Sequence, residues 1–201
     1  MSKYHPELTD HHDTRAKIFT AAAKLFAEKG YNGVSMREIS ETAGLSKPTI
    51  YYYFGNKEGI YTALVESSLH YQMELFQEIS GRNIPIKSKI VEIIKLRFQQ
   101  VKDYPEFAKF FLLLFMSFER LPFLENFFVE AKARRQMLME LIKQGVIDGE
   151  FGPRANPEVT AEILVGALTH YILKQLNSKE NVLSDHLAKD IVEMLFRGLN
   201  E

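Results

Sequence analysis

Between Gly30 and Gly55 the chain carries two complete sets of helix start and stop signals in close succession. Ser35-Met36-Arg37-Glu38 is a capping box, in which the serine hydroxyl and the glutamate carboxylate satisfy each other's orphan backbone N–H groups. The helix it opens runs through Ile39 and Ala43 and stops at Gly44. Ser46 then caps a third helix, with Pro48 in its first turn, where a missing N–H costs little. That helix ends at Gly55, and Asn56 can cap the next. Helices this short are not stable alone and must be held by packing. The support comes first from residues 14–29, where Ile18, Ala21, Ala22, Leu25 and Phe26 recur at the spacing of one buried helical face. Asp13 or Thr14 can cap that helix, and Lys29-Gly30 closes it. Two short helices across Gly44-Leu45-Ser46, preceded by a longer one, make a helix-turn-helix unit.

Such a unit buries too little surface to be comfortable by itself, so a following helix over Lys57 to about Ser80 is expected to brace it. Beyond Gly81 the pattern predicts five more helices, near 86–103, 105–119, 122–145, 157–177 and 184–199. Nothing alternates like a strand. The expectation is an all-α chain of about nine helices: a flexible arm (1–12), an N-terminal three-helix helix-turn-helix domain (1–57), then a larger helical domain (58–201).

Composition adds bounds. The chain has 201 residues, no cysteine and a net charge of −1. Absence of cysteine excludes disulfides and thiolate metal sites and fits a reducing compartment. No apolar stretch follows a basic segment near the N-terminus, and the longest apolar run, Phe110 to Met116, is too short to cross a bilayer. A cytoplasmic protein with no membrane partner is expected. The charge is mildly asymmetric: residues 1–57 hold eight Lys/Arg against six Asp/Glu, and the remainder 17 against 20. That permits a DNA-facing end without demanding one.

On the third helix Ile50 and Phe54 are four apart and share the core face, leaving Lys47, Thr49, Tyr51 and Tyr53 on other faces. Lysine can pair with a phosphate or a guanine edge, the Thr49 methyl with a thymine methyl, and tyrosine hydroxyls with phosphates. Lys57 at the start of the next helix can hold the flanking backbone.

The stretch from about 14 to 61 resembles the DNA-binding region of the TetR family of transcriptional regulators. The resemblance is carried by Ile18, Ala21-Ala22, Leu25-Phe26 and Gly30-Tyr31, then by Ser35-Met36-Arg37-Glu38-Ile39 and Ala43-Gly44-Leu45-Ser46. It continues through Thr49-Ile50-Tyr51-Tyr52-Tyr53-Phe54 and Asn56-Lys57-Glu58. It covers about a quarter of the chain, and the combination is specific. The helices beyond it agree in number and order with that family. The resemblance implies operator contacts from Ser35, Arg37, Lys47, Pro48, Thr49, Tyr51, Tyr53 and Lys57. Tyr52 is a weaker member of that set, its ring expected to turn toward the supporting helices. Ser40 stands where alanine is more usual, Pro48 where glycine is frequent, and Tyr53 where histidine is common, so base preference does not transfer.

The resemblance also implies a small, hydrophobic effector among the middle helices and a homodimer on a palindromic operator. Residues 107–128, FAKFFLLLFMSFERLPFLENFF, are rich in phenylalanine, which suits either core filling or an aromatic-lined cavity. His70, Phe111, Phe115 and Phe118 are taken as pocket residues. Val165, Gly166, Leu168, Ile172, Ile191 and Leu195 on the last two helices are taken as the dimer interface. No cofactor or metal site is expected, since no His-x₃-His pair occurs. There is no glycine-rich phosphate loop or nucleophile motif, so no catalysis is expected. The expected function is a ligand-responsive transcriptional regulator, a repressor released from double-stranded operator DNA by its effector. The alternative is a helical small-molecule carrier or enzyme without DNA binding.

Overall fold

The computed structural model describes residues 14–116 and 121–197. Asp13, the arm over 1–12 and Phe118 lie outside them. Every regular element among the described residues is helical. In chain order they are α1 (Thr14–Lys29), α2 (Met36–Ala43), α3 (Lys47–Phe54), α4 (Lys57–Ser80), α5 (Ile86–Asp103) and α6 (Pro105–Met116). A 3₁₀ turn (Pro122–Leu124) leads into α7 (Glu125–Ile147), followed by α8 (Pro157–Asn177) and α9 (Asp185–Arg197). The helix expected from residue 122 therefore begins three residues later. Leu124 N donates to Leu121 O at 2.9 Å, an i→i+3 bond that winds the entry too tightly for an α-helix.

The chain divides into two compact units: residues 1–71 with 104–128, and 72–103 with 129–201. The first holds the helix-turn-helix. Compactness thus groups residues 58–71 and α6 with the N-terminal helices, beyond residue 57. Its core joins Ile18, Phe19, Ala22 and Phe26 of α1 to Ile39 of α2, Ile50 of α3, and Ile60, Tyr61 and Leu64 of α4. Phe107, Phe110, Phe111 and Leu114 of α6 belong to the same cluster. The ring of Tyr61 sits 4.8 Å from Phe26 and 5.1 Å from Phe110, both edge-on, the arrangement aromatic pairs favour. Core filling under the reader helices therefore accounts for Phe107, Phe110 and Phe111 in the phenylalanine-rich stretch.

In the second unit α5 packs on α9 and α8. Ile86, Ile90, Ile94, Phe98 and Val101 form the buried stripe of α5, at spacings of four, four, four and three. The N-terminus of α5 is capped from a distance: Ile86 N and Lys87 N donate to the Glu150 carboxylate at 2.8 and 3.0 Å. A carboxylate there satisfies orphan donors and opposes the positive end of the helix dipole. Next to Glu150, the Phe151 ring stacks on Phe196 of α9, with centroids 3.7 Å apart.

Candidate nucleic-acid interface

The start of α2 is built as its residues require. Ser35 lies in extended backbone, Glu38 N donates to Ser35 Oγ at 3.2 Å, and Ser35 N donates to Glu38 Oε2 at 2.9 Å. Lys29, the last residue of α1, donates to Glu38 Oε1 at 2.6 Å. The bonds from Lys29 first, and then from Ser35, hold the Glu38 carboxyl down at about 2, against an ordinary 4.5. The C-terminus of α1 is thereby tied to the N-terminus of α2. Gly44 ends α2 in the left-handed region, at φ 65°, where a side chain would be strained.

Across that turn, Ser46 caps α3 by accepting from Thr49 N at 3.2 Å, and its hydroxyl lies 2.7 Å from Thr49 Oγ1. The Thr49 hydroxyl is therefore engaged within the helix. Ile50 is sealed in the core, and Phe54 packs against Phe19 at 5.3 Å with the Arg15 guanidinium over both rings. Two anchors one turn apart fix how α3 rolls. What they leave outside is an aromatic surface: Tyr51 is 49% exposed, Tyr52 86% and Tyr53 44%. Lys47 and Pro48 at the head of the helix are also exposed, as are Ser35 and Arg37 at the head of α2. Arg37 donates to Glu41 Oε1 at 2.7 Å, a surface pair of the kind that exchanges readily for another anion.

Two expectations change here. Tyr52 does not face the supporting helices. At about 100° per residue it lies opposite the direction midway between Ile50 and Phe54, so it is the most outward of the three. Lys57, expected to reach for the backbone flanking a bound site, donates instead to Tyr31 O and Val34 O, both at 2.8 Å, and lies 4.3 Å from the centre of the Tyr31 ring. It joins α4 to the segment between α1 and α2, leaving one N–H over. The signal for this was the aromatic Tyr31 just past Gly30; the two accepting carbonyls carry no sequence signature.

Residues 18–64 match the family model described as bacterial regulatory proteins, tetR family. Over these residues the chain carries the TetR-family domain. The matched residues cover three quarters of α1, the whole helix-turn-helix and the start of α4, so the exposed tyrosines fall inside the match. The transcriptional regulator RutR of Escherichia coli (strain K12) is 30% identical over 96 residues, 48% of this chain and 45% of RutR. That alignment thus spans about half the length of either protein. The transcriptional repressor KstR2 of Mycolicibacterium smegmatis is 28% identical over 149 residues, 69% of this chain and 68% of KstR2. The crystal structure of FadR from Bacillus subtilis in complex with stearoyl-CoA superposes with a TM-score of 0.74 at 21% identity, covering 90% of this chain and 97% of that one. At that identity the likeness establishes the fold.

The other expected sites fare unevenly. Phe111 is sealed in the core of the first unit, whereas His70 and Phe115 are exposed, so these pocket residues share no common environment. Of the interface set, Val165 and Gly166 are exposed and Leu168, Ile191 and Leu195 half-buried. Ile172 is buried with Thr160, Ala161 and Leu164 on the core side of α8 and is removed from the set. Sequence reasoning missed an exposed stripe on the opposite side of the helix. Val159, Ile163, Gly166, His170 and Leu173 are all exposed, at spacings of four, three, four and three along one face of α8. Among the described residues no helix is long and apolar enough to cross a membrane.

Proposed function

We propose that this chain is a homodimeric transcriptional repressor that binds a palindromic operator through α3 and is released by a small hydrophobic effector held in its C-terminal helices. The observation that carries the reading is the tyrosine surface of α3, turned outward by the Ile50 and Phe54 anchors within a capped helix-turn-helix. Three exposed aromatic rings on an eight-residue helix are costly to leave in water unless a partner covers them. Lys47, Pro48, Thr49, Tyr51, Tyr52 and Tyr53 would face the major groove. Ser35 and Arg37 at the head of α2, and Lys57 with its remaining N–H, would meet phosphates.

The exposed stripe on α8 supports self-association. Apolar residues repeating every three or four positions form a seam that a symmetry-related helix can close, and Gly166, with open space around it, permits close approach. Met194 of α9, 78% exposed, adds to the uncovered apolar surface of the same unit. A two-fold dimer would place its recognition helices about one duplex turn apart, roughly 34–36 Å, in the bound state. An effector that prefers another spacing would lower operator affinity by shifting the population. Helix α4, with residues 57–71 in one unit and 72–80 in the other, is the natural carrier of that coupling. A cytoplasmic location follows from this function. RutR and KstR2 are named as a regulator and a repressor, and FadR was solved with an acyl-CoA, which agrees with this class.

The test is fluorescence anisotropy with duplex DNA from upstream of the chain's own gene, titrated at several salt concentrations. Specific binding lost in Tyr51→Ala and Lys47→Ala, with nonspecific binding largely kept, is the expected result. Wild-type protein that does not distinguish this DNA from random duplex would sink the reading in favour of a carrier or enzyme.

A further inference from the structure

Helix α3 reads Lys-Pro-Thr-Ile-Tyr-Tyr-Tyr-Phe. The side chains that tell base pairs apart by hydrogen bonds are chiefly arginine or lysine on guanine, asparagine or glutamine on adenine, and aspartate or glutamate on cytosine. Of these α3 carries Lys47 alone. Ile50 and Phe54 are taken up by the core, which leaves Pro48, Thr49 and the tyrosines to meet base edges. Tyr52 lies opposite the direction midway between the two anchors. At about 100° per residue, Pro48 falls about 40° to one side of Tyr52 and Thr49 about 60° to the other. Lys47 lies on the flank, one turn before Tyr51. The middle of the outward face is therefore Pro48, Thr49 and Tyr52.

None of these three offers a hydrogen bond that selects a base. Proline has no N–H. The Thr49 hydroxyl lies 2.7 Å from Ser46 Oγ, which also accepts from Thr49 N, so it is turned back toward the helix cap. With that branch of Cβ engaged, the free branch is the methyl, and a β-branched residue in a helix has few other arrangements. A phenolic hydroxyl both donates and accepts, and so satisfies either kind of base group. What the three residues share is apolar carbon, and the major groove presents one apolar group, the C5 methyl of thymine. We propose that α3 selects its operator chiefly by thymine methyl groups, held against the Pro48 ring, the Thr49 methyl and the Tyr52 ring, with Ser46 setting the Thr49 side chain. Lys47 contributes at the edge of that surface, to guanine or phosphate. The inference rests on α3 being the operator-reading helix and adds what the helix reads. Deoxyuridine then counts as a wrong base although it pairs as thymidine does. By the same chemistry 5-methylcytosine counts as a partial match although it pairs with guanine.

Fluorescence anisotropy on the full-length protein tests this with duplex DNA from upstream of its own gene, unmodified and with every thymidine replaced by deoxyuridine. Each is compared with a random duplex of the same kind. The natural duplex should be preferred, and full substitution should reduce that preference about tenfold or more, since several contacted methyls are lost at about fourfold each. Replacing one thymidine at a time locates the contacted positions. Thr49→Ser, which keeps the hydroxyl and loses the methyl, should bind thymidine and deoxyuridine alike at one position in each half-site. Thr49→Val, which keeps the methyl, should show the wild-type penalty there. At that position wild type should bind 5-methylcytosine about fourfold more tightly than cytosine. A preference that survives full substitution would overturn the inference and assign discrimination to hydrogen bonds or duplex shape. A Thr49→Ser protein that keeps every wild-type deoxyuridine penalty would overturn it too. No preference for the natural duplex over the random one removes the operator reading itself, and the inference falls with it.

Discussion

The three tyrosines of α3 show how much one helical turn decides. Ile50 and Phe54 were legible as anchors from their spacing alone, and the outward position of Tyr51 and Tyr53 followed. The same arithmetic applied to Tyr52 gives the position opposite the anchors, which the 86% exposure of that residue matches. Tyr52→Ala should therefore leave folding free energy within about 0.5 kcal/mol of wild type, as surface changes do. Operator binding should weaken several-fold. Ile50→Ala should instead cost about 2–5 kcal/mol of stability, through lost burial and the cavity left behind. Urea denaturation and anisotropy on the two variants check this pair, and unchanged operator affinity in Tyr52→Ala would take that ring off the DNA. Lys57 was illegible for the opposite reason: its partners are the backbone carbonyls of Tyr31 and Val34, which any residues could present. Lys57→Met should lower stability in the absence of DNA by about 1.5–3 kcal/mol, the range for hydrogen bonds to a charged group. Stability equal to wild type in that variant would mean that the two contacts do not form in solution.

Helix by helix, the boundaries were mostly written in caps. Ser35, Gly44, Ser46 and Gly55 are local signals, and the helices they bracket fall where they indicate. What local signals do not carry is the tie between elements. Lys29 and Glu38 are nine positions apart, and their bond joins the end of α1 to the start of α2. Because the folded carboxyl is held at about 2, below its ordinary 4.5, the link contributes stability that is full above pH 4.5. It is lost as the pH falls from there toward 2. Glu38→Gln should be less stable than wild type at neutral pH and should lack this component of the acid transition; circular dichroism melts between pH 2 and 7 would show the two curves converging at the acid end. The Glu150 cap on α5 is still less visible in sequence, since its two donors lie 64 and 63 residues away. Glu150→Ala should cost about 1 kcal/mol, as loss of a helix cap does. Faster amide exchange at Ile86 and Lys87 is the measurement, and protection equal to wild type there would count against the cap.

For the molecule as a whole, helix count and order were readable from periodicity and breakers, while the surfaces that bind other things were only partly so. The interface residues proposed from apolar content included Ile172, which faces inward. The exposed apolar residues that would close the proposed dimer sit one helical face round, at Val159, Ile163 and Leu173, and only packing tells the two faces apart. Placing a charge in that stripe should split the dimer. Ile163→Glu should sediment as a folded monomer in analytical ultracentrifugation and bind a palindromic operator at least about tenfold more weakly, because two half-sites no longer act together. A dimer unaffected by Ile163→Glu would place the seam elsewhere. The phenylalanines of α6 carry a last consequence. Because Phe107, Phe110 and Phe111 complete the core beneath α1 and α4, the reading head is discontinuous in the gene: its helices at the start of the chain need a lid encoded some fifty codons downstream of α3. A reading head transplanted between relatives by cutting after the recognition helix would leave its own keystone behind, so a working chimera must carry both pieces across together.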